Sequence, residues 1–412
     1  MRALALLAGV LALHSSVDGQ ASEGGPRGDV IAVKAGRVIT VSGEEIKDGV
    51  ILIEDGKITK VGAGLEIPAG AQIIDASAQV VMPGIVDGST DLGVEGSSNE
   101  ETDEIVPHVR ILDSLNLRQP ALQRALQGGV TTAYVGPGNR SVIGGLGSVV
   151  KTSGRSLQEA VVREDVALKA AMGSGPSWGN FPPRGMPPTS FYARRPTTRM
   201  GVVWEFRKAF FEARAYKEEA PARKDPAREV LVKALERKVP VRVAASRAGD
   251  IETAVRLADE FGLAISIEEA QEAYRHAELL AKKRVAVFLR PTYQTSTLYG
   301  AEGSEVRFTT FTALLAAGVP TALLAQTGVE GEGALAMAAF AVKYGATRAQ
   351  ALRAITLTPA ELLGVAERVG SLEAGKDADL LFLSGDPLDV TSRIERVMVG
   401  GKVAAGRKIV EH

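Results

Sequence analysis

Residues 239–291 read VPVRVAASRAGDIETAVRLADEFGLAISIEEAQEAYRHAELLAKKRVAVFLRP, and this stretch decides the fold. Three short runs rich in Val, Ile and Leu, at 239–246, 263–269 and 285–291, are separated by two longer ones. In 250–262 the apolar residues Ile251, Ala254, Val255 and Leu257 recur at a spacing that gives a helix one apolar face. The run 273–283 supplies a second helix. Strand, helix, strand, helix, strand is the rhythm of parallel strands joined by crossovers.

The rhythm extends both ways. Upstream, 129–138 is a strand leading into a loop and 228–238 is a helix. Downstream, 312–318 is helical, 319–326 is a strand, and 332–345 and 347–356 are helices. Over 82–364 the alternation is long enough for an α/β domain closed as a (β/α)8 barrel of the TIM type. The flanks have another character. Residues 29–81 carry short Val/Ile-rich runs divided by turn signals such as Asp55-Gly56, and 365–412 return to the same pattern. The two ends are expected to pair as a small composite β-sandwich domain. The insertion 173–198 is too rich in Pro and Gly for a regular element. It reads either as a surface loop or as a lid over the barrel mouth, with Trp178, Phe181, Phe191 and Tyr192 as the covering side chains.

Composition narrows the chemistry. Cysteine is absent from the 412 residues, which removes disulfides, thiolate metal sites and Cys nucleophiles. Only His14, His108, His276 and His412 supply imidazole, too few for a histidine-rich binuclear centre. A net charge of −1 gives no electrostatic basis for nucleic-acid binding. Residues 1–21 hold an early Arg, the apolar run Ala3–Leu13 and small residues after it, the pattern of a signal peptide. Export to the periplasm or outside the cell is the expectation, with no stable membrane span. His108 is placed near the start of a helix as a hydrogen-bonded structural residue, and His276 on the solvated face of the helix at 273–283.

Several stretches resemble the amidohydrolase superfamily, in its secreted imidazolonepropionase-like branch. They are VVMPGIVDGSTD (80–91), NEETDEIVPHVRILDSL (99–115), GGVTTAYVGPGNRSVIGGLGSVVKTSG (128–154), RMGVVWEFRKAFFEARAY (199–216) and, most specifically, ALRAITLTPAELLGVAERVGSLEAGKDADLLFLSGDPLD (351–389). The resemblance spans the whole chain after the leader. It implies a metal-bearing barrel with a composite β-domain, zinc or another divalent metal, and hydrolysis of C–N bonds other than peptide bonds. It also implies which positions hold the metal. Ser89 and Asp91 stand where the family has a histidine pair, and Ala244 and Ser246 where it has histidine after the fifth strand. Glu269, beside Glu268, stands for the histidine after the sixth strand, and Gln326 for the aspartate after the eighth. Lys151 is the candidate for the family's carboxylated lysine.

These replacements remove the imidazoles that grip a transition metal, so a degraded site with no metal and no hydrolysis is the expectation. Three readings of the remaining carboxylates stay open. Asp91, Glu268 and Glu269 could hold a hard cation such as Mg or Ca, with Asp91, Glu269 and Lys151 serving an active hydrolase. They could act as a general acid and base. Or they pair with Lys151, Arg247 or Arg290 in a network that fills the vacated cavity, an Asp91–Lys151 contact being its simplest form. The glycines of 144–154 lack phosphate-loop spacing and read as sites of close backbone approach. The segment ARRPTTR (193–199) would contact an anionic ligand or form a solvated loop. In function, the expectation is a small-molecule-binding protein or a partner subunit, as a homo-oligomer or paired with an active paralogue. An active hydrolase and a purely structural protein are the alternatives.

Overall fold

The turn Asp55-Gly56, with φ of 50° and 76°, closes a two-residue hairpin between Glu54 and Lys57. Both residues adopt the left-handed conformation that such a turn requires, and Gly does so without a Cβ penalty. The computed structural model describes residues 30–177, 180, 195–290, 305, 307–325 and 333–406. The leader at 1–21, the proposed lid residues Trp178, Phe181, Phe191 and Tyr192, and Gln326 lie outside the described residues.

The hairpin belongs to the first of two sheets. Its N-terminal strands are β1 (Ile31–Val38), β2 (Ile46–Glu54), β3 (Lys57–Ala63) and β4 (Gln72–Pro83). The barrel strands follow: β5 (Ile85–Thr90), β6 (Val130–Val135), β7 (Ile143–Lys151), β8 (Val161–Ala171), β9 (Val241–Ala245), β10 (Ile265–Glu269), β11 (Ala286–Leu289) and β12 (Thr321–Leu323). The chain then returns to the first sheet with β13 (Leu380–Leu383), β14 (Ile394–Val399) and β15 (Lys402–Gly406). The helices are α1 (Pro120–Gln127), α2 (Leu157–Ala160), α3 (Arg199–Glu219), α4 (Pro226–Leu235), α5 (Ala248–Phe261), α6 (Ala277–Lys283), α7 (Thr310–Ala316), α8 (Ala334–Lys343), α9 (Arg348–Ala354) and α10 (Leu357–Leu362).

The composite β-sandwich domain is hydrogen-bonded as one sheet of seven strands, in the order β15-β14-β13-β4-β1-β2-β3. The two ends of the chain meet where β13 lies antiparallel to β4, with Phe382 opposite Val81. Val33, Ile51, Ile53, Val81, Leu380, Phe382 and Met398 form its core. The second sheet runs β12-β11-β10-β9-β8-β7-β6-β5 and curls into a nearly closed TIM-type barrel.

Two features depart from the sequence reading. Strand β7 is antiparallel to both of its neighbours, so the barrel is not wholly parallel. The short connections from β6 to β7 and from β7 to β8 hold no crossover long enough to restore the direction. The run 273–283 is also not one helix. Residues Ala273–His276 form a 3-10 turn, and α6 starts after His276, which is half-buried at its N-cap. His108 is exposed in a turn before the 3-10 helix Ile111–Ser114.

Helices cover the outside of the barrel because alternate strand residues face them. Val241, Val243 and Ala245 of β9 enter the large core shared with Ile251, Ala254, Val255 and Leu257 of α5. Helix α3 adds Phe206 and Phe210, whose rings lie 4.8 Å apart, and Phe210 meets Phe261 at 5.4 Å. The side chains between these on each strand face inward and define the bore.

Candidate functional site

Arg242 and Ala244 are the inward residues of β9, and register extends that face around the barrel. Lys169 of β8 lies beside Arg242, Glu268 of β10 beside Ala244, and Phe288 of β11 beside Glu268. Side chains that are register partners on neighbouring strands emerge on the same face. The bore therefore receives a lysine, an arginine and a glutamate within apolar walls.

These three charges meet. One Glu268 oxygen takes the Lys169 ammonium and the other faces the Arg242 guanidinium. All three residues are almost completely buried. The Arg242 guanidinium carbon is 4.0 Å from the Tyr134 ring centroid and 3.8 Å from that of Phe288. Its Nε and Nη1 make no hydrogen bond, so the aromatic faces and the Glu268 charge are what stabilise it. Burial by itself would raise the Glu268 pKa; the charges of Arg242, Lys169 and Arg290 outweigh it and hold that pKa at about 2. Burial pushes the Tyr134 hydroxyl well above its ordinary range, so the phenol stays neutral.

The cluster needs space that small residues provide. A Cβ on Gly88 would come within 2.6 Å of the Phe288 ring, and one on Gly147 would run into the Tyr134 hydroxyl. Gly147 belongs to the glycine-rich 144–154, and its role there is close approach.

At the rim above the cluster, β10 ends in two consecutive left-handed residues, Glu269 at φ 68° and Ala270 at φ 51°. Non-glycine residues adopt this conformation at a cost, and such positions gather at functional sites. The twist presents Glu269 to Ser246 and Asn139. Ser246 Oγ donates to Glu269 Oε2 at 2.8 Å, and Asn139 Nδ2 donates to Oε1 at 2.8 Å. The structure thus joins Ser246 and Glu269. Ala244, below them, is buried and offers no polar atom. Ser89 is half-buried at the end of β5, and its backbone N–H is held by Asp87 Oδ1 at 3.2 Å. Asp91 is exposed and accepts from Ser98 Oγ at 3.3 Å.

Lys151 is not at this site. It ends β7, and because β7 runs antiparallel, that end lies beside Thr132 near the start of β6, at the opposite pole of the barrel. There it is buried against Asp377, at 3.0 Å, and Asp379. The expected Asp91–Lys151 contact is therefore corrected, as is the carboxylated-lysine assignment to Lys151. The lysine that reaches the bore is Lys169. Its signal was a single charge inside the apolar run Val166–Met172.

Comparison with known proteins agrees with this architecture. The amidohydrolase family matches residues 298–404. A solved amidohydrolase from Thermotoga maritima MSB8 is 35% identical, covering 92% of this chain and 100% of that one with a TM-score of 0.83. The chain belongs to the amidohydrolase family. A curated family relative, amidohydrolase tasK of Hapsidospora irregularis, is 27% identical over 400 residues. That alignment takes in 86% of this chain, which spans only 39% of the length of tasK. A zinc-bound adenosine deaminase from Xanthomonas campestris is 17% identical with a TM-score of 0.55; the match covers 92% of this chain and 93% of that one and shows likeness of fold alone.

The amidohydrolase family is typically metal-dependent, so the donors of this chain can be tested against a divalent ion. Among the described residues no three His, Cys, Asp or Glu side chains converge as a metal site. Glu268 already faces two cations, and both Glu269 oxygens accept hydrogen bonds. An ion here would find one carboxylate, a serine and an amide, a set that does not fit zinc.

Proposed function

We propose that this chain is a non-hydrolytic amidohydrolase-family protein that binds a small molecule at the barrel mouth. In this reading Ser89, Asp91, Ala244, Ser246, Glu269 and Gln326 stand where relatives keep metal ligands. The observation that supports it best is the buried Lys169–Glu268–Arg242 cluster: both oxygens of the bore's carboxylate are taken by cations, and the excess positive charge disfavours a metal ion beside them. The altered-ligand hydrolase using Asp91, Glu269 and Lys151 has less support, since Lys151 lies at the other pole and Asp91 pairs with Ser98.

Elemental analysis of protein purified without chelator is expected to find less than about a tenth of an equivalent of zinc, iron or manganese. No turnover is expected on a panel of linear and cyclic amides. Near-stoichiometric metal together with hydrolysis of a panel member would sink the reading. A partner subunit is the second reading, and an exposed apolar stripe on α3 favours it: Met200, Trp204 and Phe211 share one side of the helix.

A further inference from the structure

The buried cluster leaves two charged side chains unused at the barrel rim. Glu269 ends β10 and Arg290 follows β11, and the two strand ends are joined where the Arg290 N–H donates to the Glu269 carbonyl at 3.1 Å. Both residues are half-buried.

Glu269 takes its hydrogen bonds from neutral groups. Ser246 Oγ and Asn139 Nδ2 each hold one oxygen, and among the described residues no cation forms an ion pair with either. These donors fix the direction of the carboxylate without removing its charge, and each oxygen keeps room for a second donor. The left-handed backbone at Glu269 and Ala270 sets that direction at a conformational cost.

Arg290 is the complement. Among the described residues its guanidinium makes no hydrogen bond and no ion pair, and its nitrogens are not sealed from solvent. It lies two residues beyond Phe288, whose ring meets Arg242 inside the bore, so strand alternation turns both side chains inward. Its positive charge helps to lower the pKa of the buried Glu268, as a side chain on the bore side of the wall would. The cluster beneath adds to this charge, since two cations face the single carboxylate of Glu268.

Opposite charges on adjacent strand ends ordinarily pair. Here Glu269 leans toward Ser246 at the end of β9, while Arg290 belongs to β11 on the other side of β10, and no ion pair joins them. The rim therefore keeps one negative and one positive group, each with unused capacity. A ligand of one sign would answer one group and gain nothing from the other.

We propose that the ligand of the barrel mouth is a small zwitterion of the amino-acid type, its ammonium on Glu269 and its carboxylate on Arg290. This rests on the reading that the mouth binds a small molecule.

Isothermal titration on the full chain at fixed ionic strength tests it with norleucine and ε-aminocaproate, which separate the two charges by a short and a long span. Hexanoate and pentylamine, each lacking one of the charges, are the controls. At least one zwitterion should bind about tenfold tighter than either control, the worth of one charge-assisted contact. Glu269→Gln should lower that affinity about tenfold and not weaken hexanoate. Arg290→Met should lower it as much and not weaken pentylamine. Both side chains are partly exposed, and an unchanged circular dichroism spectrum is the folding control. No binding of either zwitterion, equal binding of hexanoate or pentylamine, or full affinity in either variant would overturn the inference. Binding of a singly charged control alone would overturn it while leaving the small-molecule reading intact. Stoichiometric metal with amide hydrolysis would remove the non-hydrolytic reading, and the same titrations would still decide the charge requirement.

Discussion

Glu268 is the residue on which the bore depends. Two cations face it and it is almost completely buried, so its charge is coupled to theirs far more strongly than a surface pair would be. Replacing one member leaves the others uncompensated in a buried site. Glu268→Gln is expected to lower unfolding free energy by about 3–5 kcal/mol, read from urea denaturation. Replacing the whole cluster by Lys169→Met, Arg242→Met and Glu268→Leu should cost less than the single change, because no orphan charge remains. A triple variant less stable than Glu268→Gln would show that the three charges do not act as one unit. The sequence made part of this site legible. Glu269 and Ser246 were candidates from the motif positions, and they do meet. Lys169 and Arg242 were not candidates, since a lone cation in an apolar strand gives no indication of which carboxylate it will face.

At the scale of elements, β7 shows how far periodicity reaches. Ile143–Lys151 is glycine-rich and fully buried, without the alternation that marks a strand facing water on one side. Its direction follows from connection length, and that direction carried Lys151 to the far pole. The helix α3 raises the opposite issue. Val202, Phe206, Ala209, Phe210 and Ala213 bury one face, while Met200, Trp204 and Phe211 stay exposed on another. If that stripe is a subunit contact, light scattering should find a dimer in the parent and a monomer in Trp204→Glu. A parent that stays monomeric, alone and with a metal-competent relative added, would remove the partner reading.

Across the whole molecule, barrel and β-domain are locked by charge. Lys151 at the foot of β7 meets Asp377 and Asp379, and Asp377 also takes Lys57 and Arg368. These aspartates belong to the segment GKDADL (375–380), within the residues that match the amidohydrolase family, and here its work is structural. Burial would raise the Asp377 pKa, but the Lys151 charge, the hydrogen bonds from Lys57 and Lys151, and Arg368 bring it below the usual aspartate value. Its contribution to stability is therefore complete above the unfolded pKa of about 3.9 and is lost as pH falls through the lower native value. Lys151→Met should destabilise the protein at neutral pH and flatten its loss of stability as pH falls below about 4, followed by urea denaturation at each pH. An acid dependence equal to the parent's would contradict this lock.

What the sequence by itself determined is the barrel with its composite β-domain, because strand–helix alternation and apolar periodicity are local properties of the chain. Ser246 and Glu269 as rim positions were readable for the same reason: each sits at the end of a recognisable strand. Only the tertiary structure decided that β7 runs backwards, that Lys151 serves the domain junction while Lys169 serves the bore, and that Arg242 lies between two aromatic rings. Those facts depend on which distant strands become neighbours, and charge pairing over such separations leaves no periodic trace in the chain.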